Sequence, residues 1–237
     1  MSNGVIHWFR YASPQTFFPL AGTLARWSAV LASVLALIGL YIGFFVAPTD
    51  AQQGEAYRII FIHVPAAWMS MFIYLVMAFW AALGLAYNTR LSHMMAAALA
   101  PTGALMTFIA LWTGSLWGKP TWGTYWVWGD ARLMSELFLL FLYLGFMALR
   151  AAIDDARRAD RAAAVLAIVG VVNIPIIYYS VQWWNTLHQG ASVSLSAAPK
   201  MAATMLTGML VMALAFWLYS VAASMLRVRC IIRERGE

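Results

Sequence analysis

Long apolar runs separated by short polar segments organise this chain. Six stretches have the length of a helix that crosses a bilayer, roughly 17–25 residues. They are Trp27–Ala47, Phe61–Tyr87, Met94–Trp117, Leu133–Leu149, Ala162–Val181 and Met205–Leu226. The one charge inside them is Glu136, near an end of the fourth. Lipid offers no partners to backbone N–H and C=O groups, so each run must satisfy its own as a helix. The alternation with period two that would mark a membrane barrel is absent. The pattern predicts an all-α, polytopic membrane protein with six transmembrane helices. Composition agrees: of 237 residues, 63% are hydrophobic and 10% charged, more apolar surface than a soluble domain of this length can hide. A single membrane domain, 1–237, with no separate soluble domain is expected.

The basic residues set the orientation. Arg10, Arg26, Arg90, Arg150, Arg157, Arg158, Arg161, Arg227, Arg229, Arg233 and Arg235 fall on one side of the predicted membrane, against Arg58, Lys119, Arg132 and Lys200 on the other. Cytoplasmic loops carry the excess of Arg and Lys, so both termini are expected to be cytoplasmic, with outer loops at roughly 48–60, 118–132 and 182–204. The net charge of +6 is accounted for by this bias; no basic module interleaved with aromatics points to nucleic acid. The lone cysteine, Cys230, excludes an intramolecular disulfide, a CxxC redox pair and a CxxCH haem attachment site. The first 26 residues, with Pro14 and Pro19, do not read as a cleaved signal peptide. Gly114-Ser-Leu-Trp-Gly118-Lys119-Pro lacks the spacing and the Ser/Thr of a phosphate loop.

The second outer loop, about 117–132, carries the densest chemistry. It reads Trp117-Gly-Lys-Pro-Thr-Trp122-Gly-Thr-Tyr125-Trp126-Val-Trp128-Gly-Asp130-Ala-Arg132. Tryptophans favour the headgroup level, and that accounts for one or two per helix end. An aromatic platform for a flat, apolar ligand is the other reading, since indoles offer area, stacking faces and an N–H donor. Two histidines flank this loop on the same side: His63, just inside the second helix, and His188 in the third outer loop. Imidazole is a common axial ligand of haem iron, and two can hold it six-coordinate; a buried, hydrogen-bonded structural role is the alternative for each. His93, on the cytoplasmic side, and His7 in the N-terminal arm read as structural or solvated. Arg58, Lys119, Arg132 and Lys200 are candidates to pair with ligand carboxylates, or to snorkel, with Arg132 the foremost. Asp130 can instead pair with Arg132. Glu136 is either a functional intramembrane acid or packing glue.

The loop resembles the tryptophan-rich WWD signature of haem-handling proteins in cytochrome c biogenesis. With His63 and His188 beside it, six spans, and the following Leu133-Met-Ser-Glu136-Leu run, the chain is similar to the CcmC family over helices two to six. The resemblance implies haem b bound non-covalently and exchangeably at the periplasmic face of a bacterial inner membrane. His63 and His188 would be its axial ligands, and Trp117, Trp122, Trp126, Trp128, Asp130 and Arg132 the platform. It implies partners too: the CcmA and CcmB ATP-binding-cassette subunits, the small CcmD protein, and the periplasmic chaperone CcmE, which captures the haem covalently. The implied role is binding and delivery rather than enzymatic catalysis. One departure is Gly129, which separates the last tryptophan from Asp130; another is Tyr125, where the family often has tryptophan. Two rivals remain. A b-type cytochrome or quinone-linked carrier would usually place its histidines within helices, and a haem transporter would line a path with polar groups at mid-membrane.

Overall fold

A computed structural model describes residues 11–188, 193, 199 and 201–236. His7, Arg10 and Lys200 lie outside the described residues, as does most of the third outer loop. Among the described residues the chain forms seven α-helices: α1 (Pro14–Tyr41), α2 (Ile60–Tyr87), α3 (Arg90–Trp122), α4 (Ala131–Ala152), α5 (Ala156–Gly170), α6 (Asn173–Trp183) and α7 (Ala203–Glu234). Helices α5 and α6 together make one crossing, so six segments are long and apolar enough to span a membrane.

The fifth crossing is expected as one continuous helix but is broken at Val171–Val172. Pro175 is the cause: it has no N–H, and its ring crowds the carbonyl four residues earlier, that of Val171. The chain tightens locally, with Val171 N–H donating to the Ile168 carbonyl at 3.2 Å. At the break the Asn173 amide donates to the Ser135 carbonyl on α4 at 2.9 Å, a side-chain bond that ties the two crossings together.

Helix α3 runs through the middle of the bundle; most of its apolar stretch is buried. It is rich in Ala, Gly, Ser and Thr, the residues that let backbones approach when lipid removes the hydrophobic drive between helices. Gly103 shows how close the approach is: a Cβ there would lie 2.1 Å from Cζ of Tyr143 on α4. The α2–α3 turn closes on Asn88 in the left-handed conformation (φ 53°). At that end the His93 ring packs over Gly84, where a Cβ would meet it at 2.6 Å, so His93 is a packing residue as expected. The peripheral α1 packs on α7 through small residues, Ala21, Ala25 and Ser28 among those it buries.

Several expected boundaries move, α5 starting at Ala156 and α7 running on to Glu234 among them. The first helix starts at Pro14, capped by the Ser13 hydroxyl, well before Trp27. The third continues to Trp122, so Trp117–Trp122, expected in the loop, are helical. Pro120 falls in the last turn and there removes one helical bond. Gly123 then stops the helix at φ 79°, its N–H donating to the Lys119 carbonyl at 3.1 Å, an ending that glycine adopts without a Cβ penalty.

Candidate functional site

The N-terminal ends of α2, α4 and α7, the C-terminal end of α3, the turn at Gln53 and residues after α6 enclose a cavity of about 170 Å³. His63, His188, Trp117, Trp122 and Arg132 line it, on a mostly apolar wall that includes Trp68. A smaller cavity of about 30 Å³ lies against it, walled by His63, His188, Arg132 and Glu136. Residues far apart in the sequence therefore meet in one place.

His63 is held from two sides. Its Nδ1 lies 3.1 Å from Thr113 Oγ1 on α3. The Thr113 hydroxyl has one proton, and the Ile109 carbonyl accepts it at 2.6 Å. Thr113 must therefore accept from His63, which puts the ring proton on Nδ1 and leaves the Nε2 lone pair bare. The edge of the ring meets Trp117, centroids 5.6 Å apart. Gly114 gives the ring room: a Cβ there would sit 2.9 Å from His63 Cε1.

His188 is placed by α4. Asp130, only 3% exposed, is the N-cap of that helix. Its Oδ1 accepts from the N–H groups of Arg132 and Leu133, each at 3.0 Å. Its Oδ2 accepts from the Leu187 N–H at 2.9 Å. One carboxylate thus closes a helix and pins the residue before His188. The His188 Nδ1 is 3.5 Å from Asp130 Oδ1 without the alignment of a hydrogen bond, and has no hydrogen-bond partner among the described residues. The Trp122 ring packs edge-on at 4.7 Å between centroids. Burial pushes the imidazole down to a pKa of about 4, and the nearby Asp130 carboxylate opposes this only in part. His188 is therefore neutral at physiological pH, with a ring nitrogen able to donate electrons.

Trp117 is itself anchored: its Nε1–H donates to Gln53 Oε1 at 2.7 Å. Gln53 comes from the first outer loop, where Asp50 Oδ1 accepts from the N–H groups of Gln52 and Gln53 at 2.9 and 2.8 Å. Below the histidines, Glu136 accepts from the Ser70 hydroxyl at 2.7 Å. The Ser70 carbonyl in turn accepts from Tyr143 at 2.8 Å. This buried acid joins α2 to α4 and also walls the smaller cavity.

Several expected platform residues are elsewhere. Trp126 and Trp128 do not line the cavity; they pack edge-on against each other at 5.7 Å, with Trp128 73% exposed. The reason is the longer α3, which carries Trp117 and Trp122 to the cavity, while the short loop 123–130 turns Trp128 outward and leaves Trp126 half-buried away from it. Arg58 is also not in the cavity. Its guanidinium pairs with Glu55 and donates to the carbonyls of Gly43 and Ala47. Those carbonyls belong to the five-residue π-turn Ile42–Val46, and to the residue after it, that continue α1; such helix-end acceptors need a partner, and Arg58 supplies it. Lys119 donates to the Gly123 carbonyl at 3.1 Å and so closes α3. Asp130 positions its neighbours rather than facing the cavity. Gly129 meets no close neighbour at its Cβ position. Residues that sequence reasoning missed are Gln53, Trp68, Thr113 and Gly114. None stands out in the chain: three are ordinary small or polar residues, and Trp68 is one indole in an apolar run.

Comparison with known proteins bears on this arrangement. The family model described as "CcmC: Heme exporter protein C" matches residues 7–237. A relative named "Heme exporter protein C" from Escherichia coli (strain K12) is 55% identical over 181 residues, 76% of this chain and 74% of that protein. Relatives of the same name are 50% identical over 225 residues in Bradyrhizobium diazoefficiens (94% and 84% covered) and 40% over 228 residues in Paracoccus denitrificans (96% and 94%). With the family model spanning nearly the whole length and relatives at this identity, the chain belongs to the CcmC family of heme exporter proteins.

Proposed function

We propose that this protein handles haem in cytochrome c biogenesis: it holds haem b non-covalently at the periplasmic face of the inner membrane and hands it to a CcmE-like chaperone. The observation that carries the reading is that His63 and His188, far apart in sequence, line one cavity with Trp117, Trp122 and Arg132. Two neutral imidazoles suit the axial positions of a haem iron. The Thr113 contact leaves the His63 Nε2 free for a metal, and the buried His188 Nδ1 has no hydrogen-bond partner among the described residues. Arg132 offers a guanidinium to a propionate. The donor set therefore fits the group.

The cavity, about 170 Å³, is below the roughly 300–1,000 Å³ of ordinary small-molecule sites. Binding a macrocycle requires the walls to part; Gln53 and His188 line the cavity from outside any helix, whereas His63, Trp117 and Arg132 are helical. His63, locked by Thr113, Trp117 and Gly114, is the fixed ligand; His188, held through the Leu187 N–H, is the one that leaves on delivery. The bound haem supplies the reactive vinyl edge and the iron; this chain supplies position and exclusion of water. Family membership supports delivery to a CcmE-like chaperone and association with CcmA-, CcmB- and CcmD-like partners. The arginine-rich end faces the cytoplasm by the positive-inside rule, which puts both termini there and the histidines outside. Among the described residues, the bundle core below Glu136 is filled by side chains such as Met77, Met106, Leu139 and Phe146, which favours a scaffold over a conduit.

The test is the visible spectrum of the purified protein with added haem. His63→Ala and His188→Ala are each expected to shift the Soret band and to lower haem transfer to the chaperone. Unchanged spectra in both variants overturn the ligand assignment.

A further inference from the structure

The opposite end of the bundle holds a second cavity, of about 550 Å³. It lies beyond the α2–α3 turn, so the length of α2, about 40 Å at 1.5 Å per residue, separates it from the histidine site. Arg90, Arg157, Arg161, Arg235, His93 and Asp160 line it. We propose that this cavity binds a phosphate-bearing anion.

Charge comes first. Among the described lining residues there is one carboxylate, that of Asp160, and it is already engaged. Asp160 accepts from Arg235 at 2.9 and 3.1 Å and also pairs with Arg150. This clasp joins the C-terminal end of α7 to α5 and to the end of α4. Arg157 and Arg161 make no ion pair among the described residues, so the described lining carries a net positive charge.

Backbone adds to it. Two helices begin here, α3 at Arg90 and α5 at Ala156, and Ala156 lines the cavity. Thr89, the residue before α3, spends its hydroxyl on Ser92 and makes no capping bond to the helix. Asp155 caps α5 through the Arg158 N–H. Helix N-termini carry partial positive charge and free N–H donors that suit an anion. The arginine fork matches two phosphate oxygens at once.

A topology signal alone needs only basic residues in loops on one side. It does not need them to meet around a concavity whose acid Asp160 is clasped within the fold. The cavity lies at the end of the bundle, past the apolar stretches of the spans, and basic pockets between transmembrane helices take anionic heads. A phospholipid headgroup and a soluble polyphosphate present the same chemistry.

The experiment uses the full chain and the Arg157→Gln/Arg161→Gln double variant, two exposed side chains away from the histidine site. In one arm, each protein is placed in nanodiscs of phosphatidylcholine with or without phosphatidylglycerol, and the thermal midpoint and lipid retained in native mass spectra are measured. In the other, inorganic pyrophosphate is titrated into the detergent-solubilised protein. Stabilisation of the wild type by at least one probe, weakened tenfold or more in apparent affinity in the double variant and screened by salt, supports the site. A response to phosphatidylglycerol alone assigns the headgroup, and a response to pyrophosphate alone assigns a soluble ligand. Equal melting of the probe-free proteins serves as the folding control; should the double variant melt lower, Arg157→Lys/Arg161→Lys, which keeps both charges, is expected to restore binding. No stabilisation by either probe, or equal affinity in wild type and variant, overturns the proposal.

Discussion

Replacing Asp130 with Asn separates two tasks that one carboxylate performs. Its Oδ1 caps α4 through Arg132 and Leu133, while Oδ2 holds Leu187, next to His188. Asparagine is as good an N-cap as aspartate, so the helix start survives. Its amide, however, has one acceptor oxygen where the carboxylate has two. With the oxygen at the cap, an NH2 group faces the Leu187 N–H, donor against donor. A hydrogen bond to a charged group contributes about 1.5–3 kcal/mol, so releasing Leu187 costs roughly that amount. Passed entirely into the holding of His188, it lowers haem affinity by about 10- to 140-fold at 1.4 kcal/mol per decade. Asp130→Ala loses the cap as well, a further cost of about 0.5–2 kcal/mol, and is expected to melt lower than Asp130→Asn. The assay is a haem titration followed at the Soret band, with a thermal melt of the haem-free protein beside it. An Asp130→Asn protein that binds and releases haem like the wild type refutes the claim that this carboxylate positions His188.

Other substitutions test neighbouring contacts. Gly114→Ala places a Cβ at 2.9 Å from His63 Cε1, so it is expected to displace the ring and reduce haem affinity at least tenfold, whereas Gly129→Ala, in open space, is expected to be silent in the same titration. Thr113→Val leaves the His63 Nδ1–H without an acceptor, a cost of about 1–3 kcal/mol, and is expected to lower affinity within the 10- to 100-fold seen when partners of metal ligands are removed. Acid should destabilise the haem-free protein through His188. Between about 6.5 and about 4 the unfolded chain binds a proton there that the folded chain refuses, so stability is full above 6.5 and falls as pH drops through that window. Thermal midpoints of wild type and His188→Gln are expected to converge at low pH, and parallel curves count against a buried neutral imidazole. Arg58→Gln removes the donor to the Gly43 and Ala47 carbonyls; it is expected to lower the melting temperature while leaving the Soret band unchanged, and a spectral change returns Arg58 to the site.

The hydrophobic pattern alone determined the six crossings, because a span is a local property: length, apolarity and the internal satisfaction of backbone bonds. The histidines were legible for a similar reason. An imidazole in a nearly charge-free chain stands out, and the arginine bias put His63 and His188 at one end. Helix ends were less legible, since they depend on particular caps. Gly123 and the Trp117–Trp122 turn decided which indoles face inward, so Trp126 and Trp128 could not be told from Trp117 and Trp122 by type or spacing. The roles of Arg58 and Asp130 depended on partners remote in the chain: the exposed carbonyls closing α1, and the Leu187 N–H. Gln53, Thr113 and Gly114 acquire meaning only beside Trp117 and His63. Periodicity and composition report what each segment buries; which donor meets which acceptor is a long-range matter, and only the packing of the helices decided it.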